Sequence, residues 1–126
     1  MKFVAASLMM ALAIAPVPVF AHGERPQPAH GGDMQDAQGF WVELVVKGSD
    51  VTVYVMSEDH KSIPSQQISG TATVLVDGKS YKVDLSPGDA NSVKGKLPVP
   101  AAGKLVATVA LKVGGKTVSA RFSGAS

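Results

Sequence analysis

The chain has 126 residues, and its 12 Lys and Arg against 10 Asp and Glu give a formal net charge of +2 at pH 7. It contains no cysteine, which excludes disulfides, thiolate metal ligands and a cysteine nucleophile. The lysines are interleaved with acidic residues, so the chain lacks the basic stripe that binds nucleic acid.

The first 21 residues have the pattern of a secretory signal peptide, with Lys2 ahead of an apolar run. That run is shorter than the roughly 20 residues of a membrane-spanning helix. We expect cleavage after Ala21, because a cut after Ala15 would leave Pro16 at the new N-terminus. The mature chain would then begin at His22 and carry 11 basic and 10 acidic residues, a net charge of +1.

Residues 22–39 are rich in Gly, Pro, Gln and His and have no apolar period, so we predict a flexible lead-in. From residue 40 to 126 we predict one β-domain. Alternating stretches predict strands over residues 40–47, 51–57, 70–76, 79–85, 92–97, 105–113 and 116–123. About seven strands without a helical period indicate an all-β, antiparallel immunoglobulin-like β-sandwich, with a small barrel as the alternative.

Turn chemistry predicts the register of three hairpins. A four-residue loop over residues 47–50 keeps all apolar pairs of the first hairpin on one face, and the other two turn at Asp77-Gly78 and Gly114-Gly115. The predicted pairs include Leu44 with Val53, Val42 with Val55, Trp41 with Met56, Glu43 with Tyr54, Val74 with Tyr81 and Val109 with Ala120. The predicted core comprises Leu44, Val53, Val74, Tyr81, Val109 and Phe122.

Nothing in the sequence predicts an enzyme. The motifs G-x-S-x-G and H-E-x-x-H and the P-loop are absent. Glu58 and Asp59 are adjacent, so on a strand they would point to opposite sides, whereas acid–base catalysis needs groups that converge on one substrate. A solvated turn explains these two carboxylates better than a catalytic pair does.

The three histidines are candidate metal ligands. As the first mature residue, His22 would offer its α-amino nitrogen and ring Nδ1 to Cu(II). His30 precedes two glycines that allow the main chain to approach an ion. His60 has Asp59 beside it as an oxygen ligand or an orienting partner. For each histidine the alternative is a plain surface position in a tail, linker or turn.

Two methionines add soft ligands. The predicted register puts Met56 opposite Trp41, and a thioether beside an indole suits Cu(I), with sulfur as ligand and the ring as cation–π partner. Met34 is a candidate second sulfur. The alternative is that these side chains pack beneath a covering segment, for which residues 31–39 are available.

The predicted topology also brings candidate ligands together. In an antiparallel pair, the end of the second strand lies beside the start of the first, which is the edge where the lead-in enters. We therefore expect His30 and His60 to approach one another, with Asp59 nearby.

Several short motifs carry a family resemblance: His30-Gly31-Gly32, residues 40–45, residues 53–55 leading into Asp59-His60 and Pro64, and the ending over residues 117–122. Through them the chain resembles small exported proteins of Gram-negative bacteria found in metal-efflux and copper-resistance settings. Similar modules occur in periplasmic adaptor subunits of heavy-metal exporters. The resemblance spans about residues 28–123 and implies a periplasmic β-domain linked to transition metals, with His30, Asp59 and His60 as the residues carried over.

These observations give two main hypotheses. The first is a periplasmic monomer that binds or buffers a transition metal, copper first, beside a component of an efflux system. The second is a structural or interaction domain that binds no metal and docks an envelope partner through its outer sheet face. An oxidative copper enzyme built on His22 is a third, which would also need a second histidine and an open coordination position.

Overall fold

The computed structural model describes residues 26–102 and 105–123. The elements are β1 (Asp33–Ala37), β2 (Phe40–Lys47), β3 (Asp50–Ser57), a 3-10 turn (Ser65–Gln67), β4 (Ile68–Val76), β5 (Lys79–Pro87), β6 (Ser92–Lys96), β7 (Leu105–Val113) and β8 (Lys116–Ser123). The predicted signal peptide and His22 lie outside the described residues. Within those residues, no helix has the length and apolar character needed to span a membrane.

The strands form one antiparallel sheet in the order β1-β2-β3-β6-β5-β4-β7-β8. β5 joins the two halves, because most of it pairs with β4 while its last two residues, Ser86 and Pro87, pair with β6. The two ends of the sheet approach each other, and the main-chain nitrogen of Ser119 in β8 donates a hydrogen bond to Gln38 Oε1 at 2.7 Å. The sheet is therefore nearly closed as a barrel.

The all-β antiparallel class is thus confirmed, whereas the finer immunoglobulin-like sandwich is not. The continuous strand order is nearer to the barrel alternative. An immunoglobulin-like sandwich needs two separate sheets, and here β5 carries the hydrogen bonding from one half to the other.

Side chains that alternate along most of the strands build the core inside this barrel. The predicted registers of all three hairpins are confirmed. Of the predicted core residues, Leu44, Val53, Val74, Val109 and Phe122 are buried. Tyr81 is half-buried and packs against the same core.

The strand β1 lies within the segment for which the sequence predicts an irregular lead-in. Its residues do not alternate, since the buried side chains of Met34 and Ala37 are three positions apart and therefore lie on opposite faces. The strand forms through main-chain pairing with β2. The turn between them, Gln38-Gly39, has positive φ at both residues, 44° and 89°, as type I′ hairpins require.

A second, smaller buried layer lies on the outward side of β1, β2 and β3, which we call the outer face. Trp41 pairs with Met56 on one rung of this face. On the next rung Glu43 pairs with Tyr54 in β3 and with Met34 in β1. Met34, Trp41 and Glu43 are only 2%, 6% and 2% exposed. The segment before β1 folds back over Glu43, and the His60 ring lies against Trp41.

Candidate functional site

The centre of the outer face is a buried carboxylate. Glu43 Oε2 accepts hydrogen bonds from the main-chain nitrogens of His30 at 3.0 Å and Gly32 at 2.9 Å. Glu43 Oε1 lies 2.9 Å from Nδ1 of the His30 ring. A buried charge is tolerated only where it is hydrogen-bonded or paired, and these contacts supply that. Glu43 therefore fixes the course of the His30–Gly32 segment.

The same carboxylate orients the His30 ring. A carboxylate in its ionised form only accepts hydrogen bonds, so opposite it Nδ1 would be the donating nitrogen. In the neutral ring the free lone pair is then on Nε2, the arrangement that metal-bound histidines use. The ring also stacks on Tyr54, with centroids 3.5 Å apart and planes 4° from parallel. Glu43 therefore contacts one edge of the imidazole and Tyr54 covers one face, while 41% of the His30 side chain stays exposed.

His60 occupies an unusual turn position. The turn is closed by hydrogen bonds from His60 N to Ser57 O at 3.0 Å and from Ser57 N to Lys61 O at 2.8 Å. His60 has a φ of 65°, in the left-handed region that glycine adopts most easily. Few non-glycine residues adopt that region, and histidine is enriched among those that do. Gln38, Asp77 and Ala90 also have positive φ.

The His60 turn lies against the neighbouring rung of the outer face. The His60 ring approaches Trp41 edge-on, with centroids 6.3 Å apart and an angle of 68°. Trp41 is directly opposite Met56, whose side chain is half-buried. A nitrogen donor, a thioether and an indole therefore share one small area at the end of β3.

Asp59 is exposed in the same turn and interacts within it. Ser57 Oγ donates a short hydrogen bond to Asp59 Oδ1, and Lys61 Nζ lies 3.6 Å from Asp59 Oδ2. The Ser57 hydrogen bond is the largest cause of a lowered pKa for Asp59, followed by a main-chain hydrogen bond, while Lys61 also lowers it and desolvation opposes the shift. Asp59 therefore organises the turn that carries His60.

The predicted site residues fall into two neighbouring groups. His30 and Met34 lie on the Glu43 rung, and Met56 and His60 lie on the Trp41 rung, which is the adjacent one on the same face. Among the described residues, no three His, Asp or Glu side chains gather as a metal group. Met34 is almost completely buried.

Sequence reasoning assigned no role to Glu43 and Tyr54. Both sit at outward positions of alternating strands, where a polar side chain normally meets water. The only hint was their pairing on one rung. His30 lies 13 residues before Glu43 and folds back to contact it. Strand periodicity cannot predict such a contact.

A groove continues from this site along the outer sides of β2, β3 and β6. It has a volume of about 690 Å³ and is lined by His30, Val45, Lys47, Asp50, Thr52, Tyr54, Lys94, Gly95 and Lys96. His30 and Tyr54 are at one end, and the lysines are at the middle and the other end.

Comparisons with known proteins found no matching family model, no matching curated protein and no matching solved structure.

Proposed function

We propose that this chain is an exported, periplasmic protein that binds and buffers copper as Cu(I) on its outer face, without catalysing a reaction. The observation that carries the proposal is the contact between His60 and Trp41 beside Met56. Thioether sulfur selects Cu(I), imidazole suits copper, and an indole face attracts a cation. In this proposal Met56 and His60 are the ligands and Trp41 shields the ion.

The conformation of His60 supports this role. A residue held in a sparsely populated backbone region costs about 1–3 kcal/mol, and glycine would remove most of that cost at the φ of 65°. Histidine is one of the non-glycine residues that adopt this region most often, so the turn accommodates it. The ring lies against Trp41, which is the contact that the copper proposal uses.

His30 is the candidate further ligand. With Nδ1 donating to Glu43, its Nε2 would keep a lone pair for the ion, and its stacking partner Tyr54 lies one rung from Trp41. Glu43 would then act on copper through His30, by fixing the tautomer and the ring plane. Asp59 would keep the neighbouring turn in shape through Ser57.

The experiment is native mass spectrometry of the mature protein with Cu(I) under reducing conditions, together with its melting temperature. We expect a single Cu(I) and a higher melting temperature, because a ligand that binds only the native state stabilises it. Met56→Leu and His60→Asn should each weaken Cu(I) binding by at least about tenfold, or 1.4 kcal/mol. Asparagine is chosen because it tolerates positive φ.

Lys82→Gln, an exposed change in β5, is the matched control and should bind as the parent does. Binding should weaken at low pH because protons compete for imidazole. The proposal fails if both ligand variants bind Cu(I) as tightly as the parent. It also fails if neither Cu(I) nor Cu(II) raises the melting temperature.

A further inference from the structure

The groove does not include Met56 or His60, and it shares only His30 with the proposed copper site. Its walls come from three successive rungs of the sheet. The first carries Tyr54, the second carries Val45, Thr52 and Lys94, and the third carries Lys47, Asp50 and Lys96. Same-face rungs are about 7 Å apart, so the groove is about 14 Å long, the length of about four extended residues.

The charge of the groove is positive. Lys96 Nζ lies 3.4 Å from Asp50 Oδ1, in an exposed pair. Lys47 and Lys94 also line the groove, and among the described residues neither has a carboxylate within ion-pair distance. Two ammonium groups therefore remain to attract a ligand with more than one negative charge.

Lys47 and Lys94 are placed on opposite sides of the groove. Lys47 is in β2 and Lys94 is in β6, with β3 between them. Adjacent strands are about 4.8 Å apart, so the two main chains are separated by about 10 Å across the groove. Neighbouring side chains of an extended peptide point to opposite sides, and carboxylates on them would reach the two lysines.

We propose that this groove binds an acidic, extended segment of a partner protein. Its carboxylates pair with Lys47 and Lys94, and its main chain runs over Val45 and Thr52. The stacked rings of His30 and Tyr54 close one end of the groove, and Glu43 keeps that end in place. The occupant is a peptide because the groove is long and open and its charges stand on its two walls.

The test is a titration of the ¹⁵N-labelled mature protein with a hexaglutamate peptide. We expect shifted amide signals to cluster on β2, β3 and β6, and binding to weaken as salt is added. The double variant Lys47→Gln/Lys94→Gln should raise Kd at least about tenfold. The matched control, Lys82→Gln/Lys112→Gln, changes the net charge equally at exposed positions of β5 and β7 and should leave Kd unchanged.

Three results would overturn the proposal. The first is that hexaglutamate does not bind. The second is that both double variants lose affinity equally, which would mean that net charge alone attracts the peptide. The third is tighter binding of citrate than of hexaglutamate, which would make the occupant a small carboxylate. All four lysines are exposed, so circular dichroism and the melting temperature will show that both variants remain folded.

Discussion

Glu43 holds His30 at two points, through the main-chain nitrogen at 3.0 Å and through ring Nδ1 at 2.9 Å. The carboxylate is on β2 and the histidine precedes β1, so this link closes the lead-in over the outer face. Because the carboxylate is 2% exposed, its partners cannot be replaced freely by water. The link therefore serves stability and also sets the direction of the imidazole.

Glu43→Ala should lower the free energy of unfolding by about 2–4 kcal/mol, since hydrogen bonds to a buried charged group are among the stronger ones. Urea denaturation measures the change. Asp36→Ala, an exposed acidic position in β1, is the control and should stay within about 0.5 kcal/mol of the parent. A loss below about 1 kcal/mol for Glu43→Ala would show that the link to His30 contributes little.

Gly32→Ala should displace the His30 segment. A Cβ at this position would lie 2.3 Å from the main-chain oxygen of Leu44, so the chain must move, at a cost of about 1–3 kcal/mol. The ring protons of His30, which stack on Tyr54, should then change their NMR shifts. Ser80→Ala, an exposed change in β5, is the control and should leave those signals in place. Unchanged His30 signals in Gly32→Ala would contradict the close approach.

Leu44→Ala should lower the free energy of unfolding by about 2–5 kcal/mol, because it leaves a cavity in the barrel core. Leu44 is 1% exposed, whereas Leu75 is 39% exposed. Leu75→Ala is therefore the control, with an expected loss below about 1 kcal/mol, and both are measured by urea denaturation. Equal losses would mean that the inward and outward sides of the sheet contribute alike to stability.

Ser57→Ala should raise the pKa of Asp59 towards its ordinary value, because the Ser57 hydrogen bond is the main cause of the lowered pKa. A lowered carboxyl pKa adds stability above the unfolded-state pKa, and that stability is lost as pH falls through the folded-state pKa. An NMR titration of the Asp59 carboxyl carbon measures the shift. Ser62→Ala, an exposed change in the same loop, is the control and should leave the pKa of Asp59 unchanged. An unchanged pKa in Ser57→Ala would show that the Ser57 hydrogen bond is not its main cause.

The hairpins were predictable because their information is local. Alternation fixes which side chains share a face, and turn residues such as Asp77-Gly78 fix the register, so Leu44 and Val53 were correctly paired. The end of β3 beside the start of β2, where His60 meets Trp41, follows from the same antiparallel pairing.

The remaining features depend on contacts between distant parts of the chain. β1 has no alternating pattern and is held by main-chain pairing with β2. The position of β6 between β3 and β5 is set by how the hairpins assemble, which no single stretch encodes. Glu43 has a solvent-facing position by periodicity, and only the returning His30 segment buries it.

The near-closed sheet also has a consequence for the order of folding. The β2–β3, β4–β5 and β7–β8 hairpins join sequence neighbours, whereas the contact between Gln38 and Ser119 spans 81 residues. Contacts of high sequence separation form slowly, because the chain must be ordered before they contribute. We therefore expect the seam between β1 and β8 to close last and to open first in amide exchange. The contact between His30 and Glu43 spans only 13 residues, so by the same reasoning the outer face would be in place before the seam closes.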